Sequence, residues 1–434
     1  MSKTDTLQSL IQTIDGRQVH LDQLDRFYAG NPPLSFLSPE AREALGNRFG
    51  RMASNFCRLT VTSISERLRI TGFTRDGQPD PALWQDWTRN DLDQLAGTLH
   101  REALTLGTAY CIVWADAFGQ PSISVESAHQ MTALRDPGTR SIVAAAKRWN
   151  TATGSEAVLY GPDTITRFKS DSQNATAGSQ YRITETIDNP LGVVPVVEFR
   201  NSDRLLDEGV SELRDVIPLQ DALNKLLSDM LVGSEYFARP RRWATGIELE
   251  EDEDGDAENP FPESTRMLIA EGDTAKFGQL PASDLGSYDT AIRSITSQIM
   301  AVSSLPAHYT GVVANQPPNA DGLRAAEASL TARVEQRQHT FGRSWEKVAG
   351  LAHAIRTNTD PLAAEITVTW ADPATRSVAQ EADAVVKLFQ AGLLPATAAL
   401  ERLGYSEDQI QRIRDARRAE ALDGAGTDLE ALLS

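Results

Sequence analysis

Apolar residues recur along this chain first at helical, then at strand-like, then again at helical spacing. Residues 1–30 carry helical spacing and stop at Gly30, the residue type that closes helices most readily. The stretch "SPEAREALGNRFGRMASNFCRLTVTSISERL" opens with Ser38 at an N-cap and Pro39 at the first helical position. It is expected to begin as a helix and pass into the β-branched run "LTVTSI". "DPALWQDWTRNDLDQLAGTLHREALTLG" repeats the start signal with Asp80 and Pro81. Its Leu83, Trp87, Leu92, Leu95, Leu99 and Leu106 fit a helix that Gly107 closes.

Between residues 108 and 200 the period shortens. "TAYCIVWAD", "PSISVES", "AAAKRWN", "EAVLYG", "TITRFKS", "YRITETI" and "VVPVVEFR" are short runs separated by Gly, Pro, Asn or Asp, and read as strands of a mostly antiparallel sheet system. Helical spacing returns in "VSELRDVIPLQDALNKLLSDMLVGSEYFA", predicted as a helix over 210–238 with a kink at Pro218. A small unit with short strands and an acidic loop follows over 239–281. A second helix, 282–302, carries Leu285, Tyr288, Ile292, Ile295, Ile299 and Val302 at alternating spacings of 3 and 4, a one-sided apolar stripe. The segment 303–322, "SSLPAHYTGVVANQPPNADG", holds three prolines, two glycines and two asparagines, with no period. Long irregular segments inside compact domains are commonly functional or disordered. A long helix with an apolar stripe through Leu330, Val334, Phe341 and Trp345 comes next, and "EITVTW" is one late strand; together they span 323–375. The rest, 376–434, reads as short capped helices and a tail. Segregated helical and strand regions define an α+β fold.

Charge narrows the function. The 434 residues include 42 basic and 60 acidic side chains, a net charge of −18. Tight DNA binding draws on Lys and Arg that neutralise phosphates, so this balance argues against gripping DNA while leaving room to enclose it. No stretch has the apolar length of a membrane helix. The opening "MSKTDTLQSLIQTIDG" does not read as a secretory signal. Cys57 and Cys111 read as small buried residues of a reducing compartment.

Catalytic and cofactor motifs are missing: there is no GxxxxGK[ST], HExxH, CxxC or GxSxG. The reading is of a non-enzyme without cofactor or metal. The six histidines have no ligand spacing with one another, and packed or surface imidazole is the default for each. His308 stands apart because it lies in the irregular segment. The run "ELEEDEDGDAE" (248–258) has eight carboxylates. Glu250, Asp252, Asp254 and Gly255 mimic the start of a calcium loop, but Phe261 occupies the position that needs glutamate. A solvated loop is the leading reading there, with protein docking second and a metal site last. Arg239, Arg241 and Arg242 beside it make the small unit bipolar. The Trp84/Trp87 pair suits a core anchor better than a ligand platform.

The order of these elements resembles the portal proteins of tailed double-stranded DNA bacteriophages of the siphovirus type. "YAGNPPLSFL", "WTRNDLDQLAGTLHREALTLGTAYCIVWAD", "NPLGVVPVVEFRN" followed by "SELRDVIPLQDALNKLLSDMLVGSEYFARPRRW", then "IMAVSSLPAHYTG" and "NADGLRAAEASLTARVEQRQHTFGRSWEKVAGLA", carry the resemblance in the family's order over nearly the whole chain. Gly322 at the start of the long helix departs from the pattern, and the short C-terminal helical region implies a small crown.

The resemblance implies a wing (1–209), a first stem helix (210–238), a clip (239–281), a second stem helix (282–302), a tunnel loop (303–322), a long wing helix with return strand (323–375) and a crown with tail (376–434). It implies a ring, commonly of twelve subunits, at one capsid vertex of the virion, assembled in the bacterial cytoplasm, through which double-stranded DNA is packaged and ejected. The implied partners are the terminase large subunit, the head-completion adaptor, the major capsid protein and a scaffold. Implied sites follow. His308, Tyr309, Asn315, Gln316 and Asn319 belong to the channel-lining loop. Arg239, Arg241, Arg242, Glu250, Glu251, Asp252 and Asp254 belong to the docking clip. Leu285, Tyr288, Ile292, Ile295 and Ile299 pack the stem. Asn315, Gln316 and Asn319 offer amides and no cation, a surface suited to sliding past phosphates. The alternative from another class is an acidic virion scaffold or adaptor without a DNA channel. A magnesium nuclease using the acidic run ranks third.

Overall fold

The computed structural model describes residues 2–32, 54–238, 242–246, 274–279, 286–310, 320–374, 378–406 and 408–420. The described residues form two compact units. The first comprises those of Met1–Pro33, Asn55–Pro218 and Ile299–Ser434, the second those of Leu34–Ser54 and Leu219–Gln298.

The first unit begins with helix α1 (Lys3–Ala29). The Ser2 side chain accepts from the Asp5 amide while Asp5 accepts from the Ser2 amide, and Gly30 closes the helix at φ 75°. Leu7, Leu10 and Ile11 of α1 pack on Ala144, Ala146, Ala157, Leu159 and Phe168 of a five-stranded antiparallel sheet. The alanines of "VAAAK" leave space for a helix to approach that face. The sheet runs in the order β5-β6-β7-β8-β9, from β5 (Met131–Arg135) through β6 (Ile142–Asn150), β7 (Ser155–Tyr160) and β8 (Thr164–Ser170) to β9 (Arg182–Asp188). Two three-stranded sheets complete the set. One joins β10 (Val196–Arg200), β3 (Thr108–Ala115) and β4 (Pro121–Ser127). The other joins β13 (Ile366–Trp370), β1 (Ile70–Arg75) and β2 (Gln78–Pro79). β5 falls outside the seven runs expected from the sequence, because "MTALR" is short and lacks alternation.

Two expectations change in the N-terminal helices. "LTVTSI" lies in a helix, α2 (Phe56–Ser65), not a strand. Cys57, Val61 and Ile64, all fully buried, sit on one helical face, and burial outweighs the β-branched preference. The Thr60 and Thr62 hydroxyls donate back to the carbonyls of Phe56 and Arg58 at 2.8 and 2.9 Å. The helix expected from Pro81 to Leu106 is two: α3 (Pro81–Arg89) and α4 (Leu92–Leu106). The break is at Asn90 and Asp91. Asn90 donates to the Asp86 and Pro121 carbonyls and accepts from the Ile123 amide, which ties the turn to β4. Asp91 takes φ 53°. The Ser38 helix start lies outside the described residues.

The core gathers where α3, β10 and the long helix α7 (Ala320–Thr357) meet. Trp345, fully buried, has Trp87 at 4.8 Å and Phe199 at 4.7 Å between ring centroids, both edge-on. Trp84 stacks on Trp87 at 6.1 Å, so the tryptophan pair anchors the core. At Gly107, φ is 89° and a Cβ would come within 2.9 Å of the Gly209 carbonyl carbon, so only glycine fits this crossing. Both cysteines are buried, and neither forms a disulfide.

The second unit holds most of α5 (Ile217–Ala238), a ribbon of β11 (Arg242–Thr245) and β12 (Lys276–Gln279), and most of α6 (Gly286–Ser303). The helix predicted over 210–238 therefore starts at Ile217. Pro218 falls in its first turn, where the missing N–H has no intrahelical partner to lose, so it starts the helix instead of kinking it. Three short helices end the described chain: α8 (Val378–Gln390), α9 (Ala396–Arg402) and α10 over 408–420. Among the described residues no helix is long and apolar enough to cross a membrane.

Candidate functional site

The candidate channel loop, 303–322, follows α6. Of the α6 stripe, Tyr288, Ile292 and Ile295 are half-buried and Ile299 is fully buried; Leu285 lies outside the described residues. The opposite face is solvated, with Asp289 and Arg293 paired at 2.8 Å one turn apart. The helix ends where Ser304 takes φ 58°. The Leu305 amide then donates back to the Met300 carbonyl at 3.1 Å, and the Ser303 hydroxyl to that of Ile299 at 2.6 Å.

After buried Leu305 and Pro306 comes a single 3-10 turn, Ala307–Thr310. Both candidate residues in it reach one ion pair. His308 Nε2 lies 3.3 Å from Glu327 Oε1. The Tyr309 hydroxyl accepts from Arg67 Nη1 at 3.0 Å. Arg67 Nη2 lies 3.1 Å from Glu327 Oε2, and Arg67 also donates to the carbonyls of Ser63 and Pro373. The Glu327 side chain is only 5% exposed. His308 and Tyr309 thus sit in the protein's own ion-pair network. Asn315, Gln316 and Asn319 lie outside the described residues.

A second buried ionic group lies two turns further along α7. Arg337 Nε donates to Glu212 Oε1 at 2.9 Å, and Arg337 Nη2 to Asp203 at 3.1 Å. Asn201 donates to the same Glu212 oxygen at 3.1 Å. Glu212 Oε2 stands 2.7 Å from Arg333 Nη2, an ionic contact off the hydrogen-bond line. Arg333 Nη1 donates to the Val302 carbonyl at 3.1 Å, satisfying one of the free carbonyls at the end of α6. The hydrogen bond from Arg337 holds the Asp203 carboxyl below the usual range, against the opposing effect of burial. Burial acts to lower Arg337, but its bonds to Asp203 and Glu212 outweigh that and raise it.

Sequence reasoning missed Arg67, Glu212, Glu327, Arg333 and Arg337. The available signal was charge on an apolar stripe: Glu327 and Arg337 occupy buried positions of the same helix face as Leu330, Val334 and Phe341.

The candidate docking unit shows its ribbon. Trp243 lies opposite Gly278, where a Cβ would meet the indole at 2.3 Å, and Ala244 lies opposite Phe277. Trp243 and Phe277 remain 44% and 41% exposed, one on each face of the ribbon. Arg239, Arg241, the Arg242 side chain, Glu250, Glu251, Asp252 and Asp254 lie outside the described residues. Among the described residues no group of three His, Cys, Asp or Glu side chains is placed to hold a metal.

The family "Phage portal protein, SPP1 Gp6-like" matches residues 9–422. The portal protein of Mycobacterium phage L5 is 31% identical over 395 residues, covering 85% of this chain and 79% of its own. That of Mycobacterium phage D29 is 31% identical over 397 residues, with the same coverage. Among solved structures, a chain from the virion of a native gene transfer agent particle aligns at TM-score 0.48 and 13% identity, over 84% of this chain and 93% of that one. A chain from the neck of the empty particle aligns at TM-score 0.48 and 13% identity, over 85% and 94%. This chain belongs to the phage portal protein family.

Proposed function

We propose that this portal-family chain closes into a ring, of twelve subunits as the resemblance implies, at one vertex of the capsid. Double-stranded DNA passes through its axis during packaging and ejection. The observation that carries the reading is the family match across residues 9–422. The stripe on α6 supports it. Tyr288, Ile292 and Ile295 stay half-exposed in the single chain, and a neighbouring subunit is the surface that would cover them.

In this reading α5 and α6 are the stem and residues 239–281 the clip, with Arg239, Arg241, Arg242, Glu250, Glu251, Asp252 and Asp254 facing the terminase large subunit and then the head-completion adaptor. The major capsid protein and a scaffold surround the wing during assembly in the host cytoplasm. Asn315, Gln316 and Asn319 line the channel, following His308 and Tyr309. The net charge of −18 favours weak adsorption of DNA. Electron microscopy of the purified protein tests the reading. Closed rings with an axial hole are expected. Open or monomeric particles would instead favour an acidic scaffold or adaptor.

A further inference from the structure

We infer that α7 positions the segment from Val302 to Thr310 as a strap, and that His308 and Tyr309 are its anchors and not groups that meet DNA. The functional weight of this rests on the channel reading; the strap itself does not.

Two fixed points define it. At one end, Arg333 donates to the Val302 carbonyl at 3.1 Å. At the other, His308 meets Glu327 at 3.3 Å and Tyr309 accepts from Arg67 at 3.0 Å. The segment runs antiparallel to α7, since Val302 pairs with Arg333 and His308 with Glu327, six residues apart on both strands of the comparison. Six helical residues rise about 9 Å, a distance within the reach of a short turn-containing segment. Between the anchors, Leu305 is 5% exposed, and the amides of Leu305 and Tyr309 bond to the carbonyls of Met300 and Pro306.

The chemistry favours anchoring over an incidental contact. A carboxylate as buried as Glu327 requires a charged partner, and Arg67 supplies it. That pair is complete without the turn. Yet two consecutive side chains, His308 and Tyr309, both reach it, one at each charge. Arg67 also bonds the Ser63 and Pro373 carbonyls, so the pair is fixed to α2 and to the chain after β13. The turn is therefore referenced to three separate elements of the first unit. The segment predicted to line the channel continues from Thr310, and its starting point is set by this pair. A positional role of this kind accounts for the choice of His and Tyr better than contact with a phosphate backbone does. Their polar ends are directed at Glu327 and Arg67.

The test uses the purified full-length protein and phage carrying the same variants. His308→Leu removes the ionic contact to Glu327 and Tyr309→Phe the hydrogen bond from Arg67 Nη1, and both leave the Arg67–Glu327 pair intact. Hydrogen exchange at the Leu305 and Tyr309 amides should quicken about tenfold in each, since bonds to charged groups are the stronger class. Amides in the Trp345 region of α7 should keep their wild-type rates. His308→Gln, which retains a donor for Glu327, should restore much of the protection. Variant rings should form normally but yield fewer DNA-filled particles. Unchanged exchange in both variants overturns the strap. Faster exchange with a wild-type yield of filled particles overturns its role in DNA passage. Absence of rings in the wild-type protein would defeat the channel reading alone and leave the exchange result standing.

Discussion

Trp345 Nε1 donates a hydrogen bond to His100 Nε2 at 2.9 Å, inside a core where both side chains are fully buried. The bond fixes the tautomer: Nε2 is the acceptor, so a neutral ring carries its proton on Nδ1, which faces the Leu68 backbone outside good hydrogen-bond geometry. Phe341 stacks on the imidazole at 5.5 Å. Burial pushes the His100 pKa down to about 3.

Acid should therefore unfold this protein partly through His100. The unfolded chain takes up a proton below about pH 6.5, while the folded ring stays neutral until about pH 3. Stability falls as pH drops through that window, by on the order of 1 kcal/mol per pH unit from this group, and is unaffected above it. His100→Gln, which can still accept from Trp345, should be less stable at pH 7 but lose less on acidification. Thermal melting from pH 7 to 4, at matched protein concentration, checks this. Parallel melting curves for the two proteins would exclude His100 as the source.

Removing one charge from the Glu212 group should be severe. Glu212→Leu leaves Arg337, 4% exposed, with Asp203 alone, and breaking a buried pair costs about 3–5 kcal/mol. Glu212→Leu with Arg337→Met should cost less than the sum of the two single changes, because no uncompensated charge stays buried. Denaturant unfolding of the four proteins gives the coupling energy. A value near zero would mean that the two side chains act independently.

The legible parts of the fold were those with a repeated local signal. The Asp80–Pro81 start, the Gly30 and Gly107 stops and the α6 stripe each repeat a rule that depends on neighbours in sequence. The break at Asn90 did not show, because its cause is β4, some thirty residues away. The helical state of "LTVTSI" depends on burial of Val61 and Ile64, which β-branched composition does not reveal. Glu327 and Arg337 were visible as residues, but their partners Arg67, Asp203 and Glu212 come from distant stretches. Family order was readable because it is a property of the whole chain; the anchors of individual side chains are not.

The half-buried stripe of α6 gives a third expectation. Burying an isoleucine contributes on the order of 2 kcal/mol. Ile295→Asp should leave the first unit folded and block ring formation or lower ring melting. Size-exclusion with light scattering measures the assembly. A full complement of rings with unchanged melting would place Ile295 away from any subunit contact.

The acidic run should be dispensable for folding. Replacing 248–258 with a Gly/Ser linker is expected to leave ring assembly and melting unchanged, because a run this rich in carboxylates has little apolar surface to contribute to a core. Binding of terminase or adaptor should weaken, with altered salt dependence, if the eight carboxylates take part. Identical binding of both partners across a salt series would return the run to a solvated loop.

Asn315→Lys tests the channel most directly. Repeated around a ring, it would set many cations on one narrow circle about the duplex. Each lysine can neutralise a phosphate and release a counterion, so retention of DNA should rise steeply at low salt and fade as salt is added. The three candidate residues Asn315, Gln316 and Asn319 carry no cation, so the wild type has no such attraction at these positions. Rings should assemble normally, because the substitution adds charge without removing an apolar side chain. Packaging or ejection should slow at low salt and recover partly as salt rises. Asn315→Gln, which lengthens the side chain without charge, should pass DNA as the wild type does. Normal DNA passage by Asn315→Lys at low salt, with assembled rings confirmed by imaging, would remove this residue from the channel wall.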